Sequence, residues 1–517
     1  MEVWDLKRGN SIFYGALLLT GANLLLRLAS MSFQVYLSGR IGAAGIGLLQ
    51  LILSVRELSF AVGSAGIRTC AMYLSAEELG RGRPQGLHSV LSGCFRYSLV
   101  FSGLTAVCLW VFSPWLSGGW IGDRAAISSL RVCALFLPIR CLGGVMTGYF
   151  TSMGRIRDMV VVEFLEQGCS MAVTFLLLSR WAGADAGRAC LSVMLGSCAA
   201  SLLALWAFLS LHRRKLPPRA AKRAAAPYRR IFHVALPLGV ADGLRSGLNA
   251  IENLITPKRL ALYAGTVNAM ADYGIVCGMV FPVLMFPAAI LFSLADLLVP
   301  EFSRCAAGRR QTRVRYLARR GLRVALLFGL CAGGVLYTGA DALGQLLYHD
   351  AAVGTYLRLY APFVPLLYMD AIVDAICKGM GQQNANARYN VLTSFLDVAF
   401  LWLLLPRLGL GGYYFSFAAT HLINFCLSLR RLILVTGIRP RIGPPSRAIL
   451  CAAAATAASS LLPQGDGIMG LLLSGGCYLS ILGLFWLLSG VVGRGDVLWL
   501  RGLVNGRRGT AYPGDSR

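Results

Sequence analysis

The stretch Leu130-Arg131-Val132-Cys133-Ala134-Leu135-Phe136-Leu137-Pro138 returns 227 residues later as Leu357-Arg358-Leu359-Tyr360-Ala361-Pro362-Phe363-Val364-Pro365. At the same offset Met153-Gly154 returns as Met380-Gly381, and Gly82-Arg83-x-Gln85 returns as Gly308-Arg309-x-Gln311 at an offset of 226, one gap residue away. The chain that carries this repeat is 56% hydrophobic and only 14% charged. A repeat of this length in such a chain means two homologous helical lobes in a membrane, with room for a ligand between them.

A span needs about 20 mostly apolar residues. Apolar stretches between polar punctuation fall at 10–37, 44–72, 87–113, 126–150, 157–180, 187–211, 231–255, 268–299, 318–339, 352–377, 386–406, 411–435, 446–463 and 467–491, which makes fourteen. The expectation is an all-α integral membrane protein with about 14 transmembrane helices. It has a six-helix lobe over 1–211, a basic linker over 212–230, a second six-helix lobe over 231–440, a terminal helix pair over 441–491 and a tail over 492–517. A mean hydropathy of +0.63 excludes an ordinary soluble domain.

Charge orients the spans. Of 49 Lys+Arg, most lie in the N-terminus, the tail and the loops on their side. Only Arg40, Arg124, Arg180, Arg188, Lys258, Arg259 and Arg407 lie in the opposite loops. The positive-inside rule then predicts cytoplasmic termini. Six spans per lobe start both lobes from the same side, so their pseudo-two-fold runs along the membrane normal. The net charge of +26 is a topology signal and calls for no nucleic acid; the basic loop from Arg304 to Arg323 also suits anionic lipid headgroups. With 44 Arg against 5 Lys, the bias reads as genomic. Met1–Asn10 leads straight into a long span with no small-residue cleavage pattern, which reads as a retained first helix.

The residues give catalysis little support. Five histidines (His88, His212, His233, His349 and His421) share no motif, and there is no GxSxG, HExxH or Walker-type GxxxxGK[ST]. The fifteen cysteines show no CxxC and no zinc-like spacing, and they read as small packing residues. Gly144-x-x-x-Gly148 reads as close helix packing. No cofactor and no metal is expected, and the chain reads as a non-enzyme.

Charges within spans carry the chemistry, since each costs roughly 2.5–3.5 kcal/mol to insert. Asn23, Arg27, Ser30 and Gln34 share one face of the first span, and Asp242, Arg245, Asn249 and Glu252 share one face of the seventh. Arg56-Glu57 lies in the second span, while Asp370 and Asp374 lie in the tenth with Lys378 one turn on. Such stripes face a helix or a wet cavity rather than lipid. Structural ion pairing, such as Asp242 with Arg245, is the plain alternative. Arg27 resists it, because Gly9 to Gly39 contains no Asp or Glu. A cleft with Arg27, Arg56 and Arg245 suits an anionic headgroup such as a diphosphate, with Asn23, Gln34 and Asn249 beside it. Asp242, Glu252, Asp370 and Asp374 are candidates for coupling to Na⁺ or H⁺.

Leu28-Ala29-Ser30-Met31-Ser32-Phe33-Gln34-Val35, Ile41-Gly42-Ala43-Ala44-Gly45-Ile46-Gly47-Leu48-Leu49-Gln50 and Gly63-Ser64-Ala65-Gly66-Ile67 resemble the opening of the stage V sporulation protein B group. Phe281-Pro282 to Pro287, followed by Leu297-Leu298-Val299-Pro300-Glu301, is similar to the same group. That group sits in the multidrug/oligosaccharidyl-lipid/polysaccharide exporter superfamily. The resemblance covers the first twelve spans. It implies a bacterial cell-membrane flippase that moves an undecaprenyl-diphosphate-linked sugar outward by alternating access, with spore cortex peptidoglycan precursor as cargo. It also implies a substrate role for Arg27, which falls at the family's span-1 arginine. Gln34 stands where the pattern has a second arginine, and Arg68 stands for a proline. The rival classes are a cation-coupled multidrug exporter, which usually wants a span-1 acid, and a non-transporting scaffold for wall assembly. From Ala448 to Gly490 the only charge is Asp466, so the terminal pair reads as an apolar seal or as a groove for a polyprenyl tail.

Overall fold

The computed structural model describes residues 2–80, 84–182, 185–215, 228–308, 310–438, 443–461 and 467–492. Residues 216–227 of the expected linker and the tail beyond 492 lie outside the described residues. Among the described residues all regular structure is helical. The order is α1 (Glu2–Ser64), α2 (Ile67–Gly80), α3 (Pro84–Trp115), α4 (Ala126–Ser152), α5 (Ile156–Leu177), α6 (Ala186–Lys215), α7 (Tyr228–Leu260), α8 (Ala269–Tyr273), α9 (Phe281–Met285) and α10 (Ala288–Ala307). It continues with α11 (Gln311–Thr338), α12 (Ala340–Leu343), α13 (Ala351–Tyr360), α14 (Val364–Gly379), α15 (Gln383–Leu408), α16 (Leu410–Thr436), α17 (Gly443–Ser460) and α18 (Gly467–Leu488). Helix is what a hydrocarbon medium demands, because it satisfies the backbone within each segment.

Ten of the described helices are long and apolar enough to cross a membrane, or up to eleven if the pair Ala269–Met285 and Ala288–Ala295, bent by 61°, is one span. The bend falls at Pro287, which cannot continue the backbone ladder. Counted with the bent pair as one span, the number is three below the expected fourteen: one merger and two stretches that fall short. The first two merge as Leu24–Leu79, although Gly42 (φ 66°, ψ −179°) breaks the helix in the expected gap. The seventh is α7, whose polar stripe lowers its hydropathy, and the thirteenth is the alanine-rich α17.

The chain forms two compact units. One comprises Met1–Leu297 with Gln383–Asn424. Within it a core of Ile67, Leu74, Leu91, Met146, Phe150, Phe208 and Ile231 joins α2, α3, α4, α6 and α7. Backbones meet closely at two places along α1 and its continuation. Near one end, a Cβ on Gly274 would lie inside contact distance of the Ala43 carbonyl and 2.8 Å from the Gly47 nitrogen. Near the other, a Cβ on Gly66 (φ +72°) would lie 2.5 Å from the Ala235 carbonyl and 2.6 Å from the Gly239 nitrogen of α7. Only glycine fits either crossing. Gly47 and Gly66 are nineteen residues apart. At about 1.5 Å per residue that is roughly 28 Å, close to the thickness of a bilayer core. In α4 the expected close packing also appears: a Cβ on Gly148 would run into the Arg68 carbonyl.

The other unit comprises Leu298–Gln382 with Phe425–Arg517. Its core places Leu326 and Leu330 of α11 against Ala448, Ala452 and Ala455 of α17 and Tyr478, Leu482 and Trp486 of α18. The Tyr478 hydroxyl donates to the Leu330 carbonyl at 2.9 Å, and its ring fills the notch at Gly334.

Candidate functional site

Arg56 lies on α1 nine residues after Gly47 and ten before Gly66, so it sits midway between the two crossings. Its side chain is 20% exposed, and its guanidinium pairs with the neighbouring Glu57 at 2.8 Å. Arg140 of α4 reaches the same carboxylate oxygen at 3.4 Å and lies over the Phe60 ring at 5.0 Å. One carboxylate therefore holds two guanidiniums, which leaves net positive charge on this wall.

Arg56 and Arg140 line a cavity of about 300 Å³ together with Leu26, Glu163, Glu166, Gln167, Ser170, Ser197 and Ala200. Its walls come from α1, α4, α5 and α6. A smaller space of about 20 Å³ adjoins it, also lined by Arg56, Arg140 and Ser197. Glu163, Glu166, Gln167 and Ser170 fall at i, i+3, i+4 and i+7, one face of α5. Among the described residues neither glutamate makes an ion pair within 4 Å; Arg68 and Arg140 act on them only at longer range. The Gln167 amide donates to Ser30 at 3.0 Å, which ties α5 to the polar stripe of α1.

The other residues singled out from the sequence sit elsewhere in this unit. Arg27 does not line the cavity, although Leu26 does. Its Nη1 donates to the Met285 carbonyl at 3.2 Å and its guanidinium lies over Phe292 at 4.8 Å. The break at Pro287 leaves last-turn carbonyls of α9 open to side-chain donors, and Arg27 uses one. Gln34 donates to the Gly278 carbonyl at 2.5 Å, in a π-helical turn over Gly274–Val280. The Asn23 side chain lies outside the described residues. Asp242, Arg245 and Asn249 are exposed along α7, and among the described residues Asp242 and Arg245 form no ion pair within 4 Å. The Glu252 carboxyl lies beside that of Asp397 of α15, and Asp397 accepts from Ser416. In the other unit Asp374 pairs with Lys378 at 2.5 Å, and Asp370 lies one turn earlier on α14.

Arg140, Glu163, Glu166 and Asp397 are the functional candidates that sequence reasoning missed. The α5 face was legible by its helical spacing. Arg140 and Asp397, the only acid in its span, had no signal beyond being charges within spans.

The MatE family model matches residues 19–176, the segment that contains α1 beyond its first turns, α4 and most of α5. Stage V sporulation protein B of Bacillus subtilis (strain 168) is 22% identical over 405 residues, which is 77% of this chain and 78% of that one. The lipid II flippase MurJ in its inward closed conformation superposes with a TM-score of 0.69 at 11% identity, over 94% of this chain and 100% of that one. An inward-facing multidrug resistance MATE family transporter of the MOP superfamily gives 0.63 at 13% identity, over 81% of this chain and 100% of that one. The chain shares the fold of these two solved transporters. With ten or eleven helices long and apolar enough to cross a membrane among the described residues, it is a multi-pass membrane protein.

Proposed function

We propose that this protein flips an undecaprenyl-diphosphate-linked sugar, a peptidoglycan or polysaccharide precursor, from the cytoplasmic to the outer leaflet of the bacterial cell membrane by alternating access. The observation that carries the reading is the mid-span cavity lined by Arg56 and Arg140, both of which pair with Glu57. A guanidinium fork fits a diphosphate or carboxylate in bidentate fashion, and the site lies at the depth a crossing headgroup must pass. Arg27 and Arg245, with Asn23, Gln34 and Asn249, would line the rest of the headgroup path between two six-helix lobes. Similarity to stage V sporulation protein B supports a sporulation-linked wall precursor as cargo. An inside-negative potential assists anion exit by up to about 2.3 kcal/mol per charge per 100 mV. The Glu252–Asp397 pair is the leading candidate for coupling to H⁺ or Na⁺, ahead of Asp242, Asp370 and Asp374, because its two carboxyls already meet.

The second reading is a cation-coupled multidrug exporter, which the MATE likeness favours. Against it stands the first span, which has Arg27 and no acid from Gly9 to Gly39. The test is leaflet exchange in vesicles that contain the purified protein. A short-chain prenyl-diphosphate sugar is expected to equilibrate across the bilayer, and organic cations are not. Transport of cations alone would reverse the assignment, and transport of neither would leave the scaffold reading.

A further inference from the structure

The cavity on α1, α4, α5 and α6 does not have the single sign that a diphosphate site alone requires. One wall carries Arg56 and Arg140, tied to Glu57 at 2.8 and 3.4 Å. The facing lining residues on α5 are Glu163, Glu166 and Gln167, with Ser170 a turn on. Among the described residues neither Glu163 nor Glu166 has an ion-pair partner within 4 Å, although both belong to a membrane-spanning helix. Carboxylates kept at that depth call for a cation. Gln167 spends its amide N–H on Ser30 at 3.0 Å, which leaves its carbonyl oxygen as a third acceptor beside the two carboxylates.

We infer that this cavity is a two-sign subsite that binds an ammonium-bearing, anionic headgroup. Glu163, Glu166 and the Gln167 carbonyl take the ammonium, and Arg56 and Arg140 take a carboxylate or phosphate of the same group. An ammonium has three N–H donors in a compact cone, which three acceptors at i, i+3 and i+4 of one helix can receive. The guanidinium forks suit a planar or tetrahedral oxyanion. A volume of about 300 Å³ is at the lower end of ligand pockets, enough for one amino-sugar or amino-acid unit rather than a whole lipid-linked chain. The subsite thus selects among headgroups: a lipid-linked sugar that carries a free amine is preferred over one that carries only anions. This inference rests on the flippase reading and adds a specificity to it.

The experiment is equilibrium binding to the purified full-length protein of two probes. One is a short-chain prenyl-diphosphate amino sugar with a free amine, and the other is the same molecule with its amine acetylated. The free-amine probe is expected to bind about ten- to a hundredfold tighter, the worth of a charge-assisted contact. Glu163→Gln with Glu166→Gln keeps shape and hydrogen bonding but removes the charge. It is expected to erase that preference while leaving affinity for the acetylated probe within about twofold. Arg140→Gln is expected to weaken both probes alike. Equal wild-type affinity for the two probes overturns the subsite and leaves the flippase reading standing. A preference that survives the double glutamine variant overturns the role of α5. Binding of neither probe overturns the flippase reading itself.

Discussion

Gly239 on α7 offers the sharpest test of how the helices close. A Cβ there would lie 2.6 Å from the Ala65 Cα, where backbone rather than a movable side chain stands in the way. Ordinary carbon–carbon contact begins near 3.5 Å, so Gly239→Ala forces the α1–α2 junction and α7 apart by about 0.9 Å. Overpacking of this kind costs about 1–3 kcal/mol. If alternating access closes and opens this crossing, the closed contact should lose about 5- to 150-fold in relative population. The reporter is native. Cys70 is 0% exposed, and its thiol reaches the Ile231 carbonyl of α7 at 3.8 Å. In a background that keeps only Cys70, Gly239→Ala should raise its rate of maleimide labelling about tenfold or more. Gly243→Ala is the control, because its nearest neighbour is Val62 at 3.8 Å, an ordinary contact. Both substitutions improve helix propensity by a similar amount, so a difference between them reports the crossing alone. Labelling of Cys70 at the wild-type rate in Gly239→Ala, with normal abundance, would refute the argument that a Cβ at this crossing forces the helices apart.

Arg27→Ala removes the Met285 and Phe292 contacts and should abolish complementation of a flippase-deficient strain at near-normal abundance; Arg27→Lys should retain part of it, and full activity of the alanine variant would remove Arg27 from the headgroup path. Tyr478→Ala should cost about 3–5 kcal/mol, seen as falling abundance and earlier thermal unfolding, because the ring fills the notch on α11, whereas Tyr478→Phe should cost only about 1 kcal/mol. Unchanged stability of Tyr478→Ala would mean that α18 is not a seal on α11. Cysteine labelling in intact cells should reach the 341–351 loop from outside, and the 212–230 and 304–323 loops only after permeabilisation; the reverse pattern would overturn the orientation and the direction of transport with it.

The α1–α2 segment shows how much was legible beforehand. Its apolar run, its break near Gly42 and its arginines follow from composition and local punctuation, because a membrane span is selected residue by residue for transfer into hydrocarbon. The resemblance carried by Ala65-Gly66-Ile67 could likewise be read directly, while the reason for Gly66 could not. That reason is a positive φ and the backbone of Gly239, 173 positions away in the chain. Charge partners were the least readable feature. Arg56, read as part of a cationic cleft, shares its neighbour Glu57 with Arg140 from α4. Glu252 looked like one of several loose acids and instead meets Asp397 of α15. The sequence by itself determined that this chain is a bundle of membrane helices with charges it must hide, since hydropathy and helical period are local quantities. Only the tertiary structure decided which charges meet and where a cavity remains. Those depend on how helices distant in the chain cross, and a single glycine at a crossing sets that approach to within an ångström.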